Sequence, residues 1–161
     1  MNHALVLACG NSLRGDDGLA VASARFLHAG FCDPRTEILA SQQWTPELAE
    51  PISRADLVIF LDASVSLPPG SIRLQSIAPV VSRRGSLTHS VTPAVLLGLA
   101  KQLYERVPES AYLLTVGGES FEQPERLSHS VLRAIPAVLT QIKALLSGVS
   151  LPLAEFQSPS V

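Results

Sequence analysis

Charged side chains are scarce in this sequence of 161 residues. Lys and Arg number 12 and Asp and Glu number 14, so charged residues make up 16% of the chain, against about 25% in an average globular protein. With 47% hydrophobic residues and a net charge of −2, the chain does not have the composition of a disordered protein. It also lacks the basic stripe of a nucleic-acid-binding surface, so we expect no nucleic-acid partner.

Long apolar runs and cysteine clusters are missing as well. A membrane span needs about 20 mostly apolar residues, and the uncharged stretch 85–100 is interrupted by Ser, Thr, His and Pro. The N-terminus carries neither the basic segment nor the cleavage signal of a secretory signal peptide. Cys9 and Cys32 have no CxxC spacing, which favours two reduced thiols in a cytoplasmic protein with no membrane partner.

The apolar pattern alternates between strand and helix periods. Buried strands are predicted at 4–9, 56–63 and 111–116, a short second strand at 36–40, and a half-exposed edge strand at 71–77. Helices are predicted at 18–30, from Thr45 onward, at 92–107, and at 128–146 with a kink or division at Pro136. This order is typical of a three-layer α/β/α fold, a mostly parallel twisted sheet of about five strands with helices on both faces. We expect one α/β domain over 1–146 and a loosely ordered tail over 147–161.

The loop after the first strand, residues 10–18, carries two adjacent acids, Asp16 and Asp17. Its Gly-x4-Gly spacing is that of a P-loop, but Asp-Asp follows where a P-loop has Lys and Ser or Thr. A dinucleotide fingerprint would need three glycines in register, and only Gly10 fits. Two unit charges about 4 Å apart interact by about 4 kcal/mol at an effective dielectric of 20, so this pair would repel a phosphate and attract a cation. One of the two acids can simply cap the next helix, and we assign that role to Asp16.

Two further residues extend this pattern. Asp62 ends the most apolar strand, where a carboxylate needs a cleft, a hydrogen bond or a metal; a structural aspartate that accepts backbone N–H groups is the alternative. His89 lies in the uncharged segment that leads into the third helix, although a lone histidine is usually structural. Imidazole and carboxylate together suit a borderline divalent metal such as zinc or nickel.

With these pieces, the sequence resembles the hydrogenase maturation proteases, the endopeptidases that trim the C-terminus of the large subunit of nickel–iron hydrogenases. The matching segments lie in the right order over about residues 4–122: LVLACGNSLRGDDGLAV, LVIFLDASVS, SLTHSVTPAVLLGLA and LTVGGESFE. Two departures are visible, since Ala8 and Ala20 stand where the family usually has glycines. The segment SQQWTPELAE also lacks the family's frequent glycine-rich turn and is similar to a subgroup with a Gln-x-Thr-Pro-Glu-Leu run.

The resemblance implies a site and a substrate. The metal-contacting and catalytic residues of the family fall on Asp17, Asp62 and His89 of this sequence. They would converge on nickel carried by the hydrogenase large-subunit precursor, and zinc or cadmium could substitute in a crystal. Cleavage would be metal-assisted, through a polarised carbonyl or a bound water, with Asp17 or Asp62 as the base. The sequence agrees, since it has no G-x-S-x-G elbow and neither cysteine lies near a recognisable base.

Other residues of the same rim are candidates for holding the substrate: Gly10, Asn11, Asp16, Glu119 and, with a solvated loop as the alternative, Glu122. We expect a monomer, because the substrate is itself a large protein. Two other functions stay open: a non-catalytic protein of the same fold that binds the hydrogenase precursor during assembly, and a small α/β enzyme for an unrelated cationic or metal-bound substrate.

Overall fold

The computed structural model describes residues 3–31, 33–81, 91–122, 126–149 and the backbone of 155–156. In these residues one sheet of six strands runs through the molecule in the order β2-β1-β3-β5-β4-β6. The strands are β1 (Ala4–Cys9), β2 (Thr36–Ser41), β3 (Leu57–Ser64), β4 (Ile72–Ser76), β5 (Ser110–Gly117) and β6 (Glu155–Phe156). The first four strands in spatial order are parallel, and β4 and β6 are antiparallel to their neighbours. The predicted mostly parallel α/β sheet is therefore confirmed.

Helices cover both faces of the sheet. They are α1 (Leu19–Gly30), α2 (Ala49–Arg54), α3 (Pro93–Tyr104) and α4 (His129–Leu146). Alternate residues of the central strands point to opposite faces, so the core has two halves. One half joins α1 and α4 to Val6, Ile59 and other residues of their strand faces, and the other joins α2 and α3 to Leu7 and Phe60. This arrangement is the three-layer α/β/α fold that the alternation of elements predicted.

The helix boundaries agree closely with the sequence signals. Thr92 and Ser128 are the N-caps of α3 and α4, and their hydroxyl groups accept the backbone N–H groups of Val95 and Val131. Pro136 lies inside α4 without dividing it, so the predicted division is wrong. None of the described helices combines the length and the apolar character that crossing a bilayer requires.

Two features of the sheet differ from the sequence prediction. Strand β4 was predicted as an edge strand, but its first two residues, Ile72 and Arg73, pair on their free side with β6. The edge prediction is wrong there, because partners 82 and 84 positions further along the chain are not visible in a local pattern. Strand β6 comes from the segment 147–161; most of that segment lies outside the described residues, and its predicted loose order stays a prediction.

Candidate active site

The site lies where the chain changes direction across the sheet. From β1 the chain crosses to β2 on one side, and from β2 it crosses back to β3 on the other side of β1. In open α/β sheets ligands bind in the crevice at such a point, beyond the carboxyl ends of the strands. Here the two elements at that edge are the 10–18 loop, which follows β1, and the end of β3, which carries Asp62.

The loop folds tightly back on the end of β1. Gly10 donates its N–H to the carbonyl of Ser41 at 2.9 Å, and a Cβ atom at Gly10 would overlap the backbone carbonyl oxygen of Asp17. Glycine is therefore required for this close approach. A single 3₁₀ turn, Gly15–Gly18, completes the loop and leads directly into α1.

Asp17 is half-buried and held by the start of its own loop. Its Oδ2 atom accepts the N–H of Asn11 at 2.8 Å, and the Asn11 side chain accepts the N–H of Leu13 at 2.9 Å. The role of Asn11 in this structure is thus to shape the loop and fix the Asp17 carboxylate. One carboxylate oxygen of Asp17 has no hydrogen bond from the described residues and can serve a ligand.

Asp62 lies on the face of the sheet that α2 and α3 cover, in step with Val58 and Phe60 of β3. Burial, the strongest influence, raises the pKa of the Asp62 carboxyl from 3.8 to about 6. Hydrogen bonds from the N–H of Ala63, at 2.8 Å, and from the side chain of Trp44 act in the opposite direction, and the charge of Asp17 raises the pKa further. The local bond to Ala63 is weaker compensation than the several N–H groups that a purely structural aspartate usually accepts.

The charge of Asp17 contributes to the raised pKa of Asp62, so the two carboxylates influence each other electrostatically. Both also act on Cys9, the last residue of β1: burial first, and then the charges of Asp62 and Asp17, raise the pKa of its thiol to about 12. A thiol with that pKa is neutral at physiological pH and is not an activated nucleophile. The structure therefore disfavours a reactive role for Cys9.

The surroundings of the pair are suited to a cation. Across the described ranges, no lysine or arginine forms an ion pair with Asp17 or Asp62. Two partly buried carboxylates without a counter-charge repel each other, and a cation bound between them would remove this repulsion. The described part of the chain holds no cluster of three or more His, Cys, Asp and Glu side chains that could bind a metal ion. His89, the third predicted member, lies outside the described residues.

Asp16 has a different role from the one predicted. Its side chain is fully buried and accepts the N–H groups of Glu119 at 2.7 Å, Ser120 at 3.0 Å and Ser128 at 2.7 Å. Helix α1 begins after Gly18 with no side-chain cap, so the assignment of Asp16 as a helix cap is wrong. A fully buried carboxylate is also out of a substrate's reach here, and Asp16 instead ties the first loop to β5 and α4.

Burial would raise the pKa of Asp16, but the hydrogen bonds from Ser128, Ser120 and Glu119 outweigh it and hold the pKa below its ordinary value. The carboxylate therefore stays ionised. The backbone adds one more tie, from the Asp16 N–H to the carbonyl of Ser120 at 2.8 Å.

Two predicted glutamates and one tryptophan that was not predicted lie near this edge. Glu119, which follows β5, is exposed, and its carboxylate accepts the hydroxyl group of Ser130 at 3.1 Å; its role in holding the substrate stays a prediction. Glu122 is exposed too. Trp44 was missed by the sequence reasoning, although it packs edge-on against Phe60 at 5.5 Å and reaches Asp62. Its signal was its place just beyond β2, at the same edge of the parallel sheet.

Comparison with known proteins gives structural matches only. No family model and no curated protein matches the sequence. The structure of the hydrogenase maturating endopeptidase HybD from E. coli shares 26% identity and a TM-score of 0.72, and the match covers 91% of this chain and 93% of that chain. An endopeptidase from Escherichia coli known from its solution structure shares 25% identity with a TM-score of 0.66, over 92% and 95% of the two chains.

A hydrogenase 2 maturation peptidase from a Thaumarchaeota archaeon has the same fold, with 22% identity, a TM-score of 0.65, and coverage of 92% of this chain and all of that one, 100%. Near-complete coverage of both partners means that this chain shares the whole domain of these peptidases and not one motif of it. These structural matches agree with the resemblance to the hydrogenase maturation proteases that the sequence segments indicate.

Proposed function

We infer that this chain, a member of the hydrogenase maturation protease family by its motifs and by its likeness to those endopeptidases, is an endopeptidase that removes the C-terminal extension of a nickel–iron hydrogenase large-subunit precursor. In our proposal, Asp17, Asp62 and His89 contact nickel that the precursor already carries. The nickel is then the recognition signal, and it brings the scissile bond to the carboxylates.

A single observation supports this proposal: two carboxylates from separate elements lie at the sheet's switch point, and among the described residues no lysine or arginine forms an ion pair with either. Such a pair is unfavourable on its own, because burial and mutual repulsion already raise the pKa of Asp62 to about 6. A divalent ion arriving with the substrate removes both penalties at once. Binding is therefore most favourable for the nickel-loaded precursor. This difference in binding free energy explains how the enzyme would discriminate against the nickel-free precursor.

The described residues that follow the segment 82–90 support a role for His89 in this site. Helix α3 ends at Tyr104 and β5 begins at Ser110, so the helix runs antiparallel to the parallel strands. Its first turn, at Pro93, therefore lies toward the carboxyl edge of the sheet, where Asp62 lies. Val91 packs against the core on the face that Asp62 shares with Phe60.

Hydrolysis needs a water oxygen to add to the scissile carbonyl while its proton moves to a base. Asp17 or Asp62 takes that proton and returns it to the leaving amine, which balances the reaction. The precursor's nickel polarises the carbonyl and stabilises the charge that develops on its oxygen. No serine or cysteine nucleophile is required, which agrees with the raised pKa of the Cys9 thiol.

The test is cleavage of a nickel-loaded precursor by purified variants. Asp17→Asn, Asp62→Asn and His89→Ala should each lower kcat/KM by at least 100-fold, which corresponds to about 3 kcal/mol of transition-state stabilisation. Asp33→Asn is the matched control, because Asp33 pairs with Arg35 far from the edge and should leave the rate unchanged. Full activity of all three site variants would disprove the assignment.

The same assay separates the protease from the non-catalytic binding protein. A binder would form a stable complex with the nickel-loaded precursor and leave its C-terminus intact, as measured by intact mass. An enzyme should release the C-terminal peptide from the loaded precursor and not from the nickel-free one.

A further inference from the structure

A second feature of the same edge is a groove of about 960 Å3 between the exit of β5 and the first turns of α4. Its walls include Glu119, Arg126, His129, Leu132 and Arg133. The groove is partly open to solvent and carries both charged and apolar side chains. It is separate from Asp17 and Asp62, which do not line it.

Two arginines line the groove, and neither has an acidic partner among the described residues. Arg126 and Arg133 are exposed, and in the described ranges neither forms an ion pair, while Arg35, Arg54 and Arg106 all do. Because no acidic side chain among the described residues forms an ion pair with them, both guanidinium groups are available to an anion, although the chain as a whole has a net charge of −2. Guanidinium binds carboxylate through two parallel hydrogen bonds, which makes it the side chain best matched to that anion.

The groove is also rigidly joined to the carboxylate site. Its walls at Glu119, Ser120 and Ser128 are the three backbone positions whose N–H groups bind the buried Asp16 carboxylate. Asp16 is the neighbour of Asp17 in the loop. A ligand in the groove is therefore held in a fixed relation to the group that acts on the scissile bond.

We propose that this groove binds the peptide on the leaving side of the scissile bond, with Arg126 and Arg133 holding its carboxylate groups. The inference rests on the proposed endopeptidase function and adds a subsite to it. Every C-terminal extension ends in an α-carboxylate, and acidic side chains along it offer the same chemistry. Leu132 supplies an apolar contact, and Glu119 supplies an acceptor for peptide N–H groups or basic side chains. That acceptor disfavours a polyphosphate or nucleic acid as the occupant.

The first test uses the intact protein and its nickel-loaded precursor. The double variant Arg126→Gln/Arg133→Gln should raise KM about 10-fold and change kcat less than twofold, because it removes binding contacts and leaves Asp17 and Asp62 in place. Lys143→Gln is the matched control, since it removes one exposed positive charge from the far end of the same helix. Circular dichroism and the melting temperature verify that all variants fold. An unchanged KM in the double variant, with normal cleavage, overturns the groove proposal and leaves the protease function standing.

The second test does not depend on cleavage. A synthetic peptide with the sequence of the precursor's C-terminal extension is titrated into the wild-type protein by calorimetry as the free acid, as the C-terminal amide, and with Asp and Glu replaced by Asn and Gln. We expect the free acid to bind at least 5-fold more tightly than one of the two neutralised peptides, and the double variant to lose this difference. The amide arm identifies the α-carboxylate as the ligand, and the replacement arm identifies acidic side chains. Equal affinity for all three peptides overturns the proposal, even if the protein proves not to be a protease.

Discussion

At the scale of single residues, Asp16 and Asp17 show how adjacent and chemically identical side chains take different roles. The Asp16 carboxylate is surrounded by backbone donors from residues more than one hundred positions away in the chain, at 2.7 to 3.0 Å. The Asp17 carboxylate accepts one N–H from its own loop and keeps an oxygen for a ligand. Asp16 therefore stabilises the structure around the site, and Asp17 is the acid that can contact a ligand.

Replacing Asp16 with asparagine should destabilise the fold. An amide group can accept with one atom only, so its NH₂ group would face a backbone N–H and leave a buried donor without a partner. The loss should be about 2–3 kcal/mol at pH 7, measured by urea unfolding. Asp33→Asn is the control and should show a smaller change, because the Asp33 carboxylate is half-buried and pairs with the exposed Arg35.

The destabilisation caused by Asp16→Asn should depend on pH, because the pKa of the Asp16 carboxyl is lowered in the folded protein. The ionised carboxylate stabilises the folded state above the pKa of the unfolded chain, about 3.9, and this contribution is lost as the pH falls through the lower folded-state value. The difference in the free energy of unfolding between the wild type and Asp16→Asn should therefore become smaller below about pH 4. A gap that stays constant down to pH 3 would contradict the role of the charge.

Cys9 provides a prediction about reactivity. Because burial and the nearby charges of Asp62 and Asp17 raise the pKa of its thiol to about 12, iodoacetamide should not alkylate Cys9 in the folded protein at pH 8. Cys9→Ala should cleave the precursor within about threefold of the wild-type rate, a change of less than 1 kcal/mol. Both measurements belong in a Cys32→Ser background, so that mass spectrometry reports one thiol. Rapid alkylation of native Cys9, or loss of activity in a folded Cys9→Ala protein, would show that the thiol takes part.

At the scale of elements, the conformation of the 10–18 loop depends on the absence of a side chain at Gly10. A methyl group at Gly10 would overlap the carbonyl oxygen of Asp17, so Gly10→Ala must push the Asp17 backbone away from β1. We expect at least a 10-fold loss of kcat/KM, because misplacing a catalytic group by about 1 Å can slow a reaction 100-fold. Gly30→Ala is the matched control, since nothing lies within 4 Å of an added Cβ atom there. Normal cleavage by Gly10→Ala would mean that the loop adapts without moving Asp17.

The elements themselves were largely predictable, for a physical reason. Strand β1 was predicted with its observed bounds, and α4 was predicted from Ser128, which is its N-cap. Continuous apolar runs and capping side chains are local signals, and both elements contain them. Strand β6 has only two residues, too few for any period, and it exists through its pairing with β4.

The candidate site was predictable only in part. Asp62 could be located at the ligand-binding edge because strand ends meet there in a parallel sheet, and its raised pKa agrees with that position. The structural role of Asp16 could not be predicted from the sequence, because the three residues whose N–H groups it accepts are close to it only in the tertiary structure. They are Glu119, Ser120 and Ser128. The placement of Trp44 against Asp62 and Phe60 depends in the same way on the packing of the 42–48 connection on the sheet.

At the scale of the whole molecule, the site should lower the stability of the fold that carries it. The pKa of Asp62 is raised from 3.8 to about 6, first by burial and further by the charge of Asp17. Between those two values the folded protein holds a proton that the unfolded chain has released, so stability falls as the pH rises through this window. Above about pH 6 the full penalty is present, and binding to the substrate's nickel would relieve it.

Asp62→Asn should therefore be more stable than the wild type and inactive. Asparagine keeps the side-chain oxygen that accepts the Ala63 N–H and cannot ionise, so the variant should gain about 1–3 kcal/mol at pH 7.5, because one pKa unit corresponds to about 1.4 kcal/mol. In a domain of this size that gain raises the melting temperature by several degrees, at about 2–4 °C per kcal/mol. The measurement is thermal unfolding with a chelator present, at pH 7.5 and at pH 4. The two proteins should converge at pH 4, where the wild-type carboxyl is largely protonated in the folded state. A variant that is less stable than the wild type at pH 7.5 would show that the Asp62 charge supports the fold, and the reading of this edge as a site formed for a cation would have to be given up.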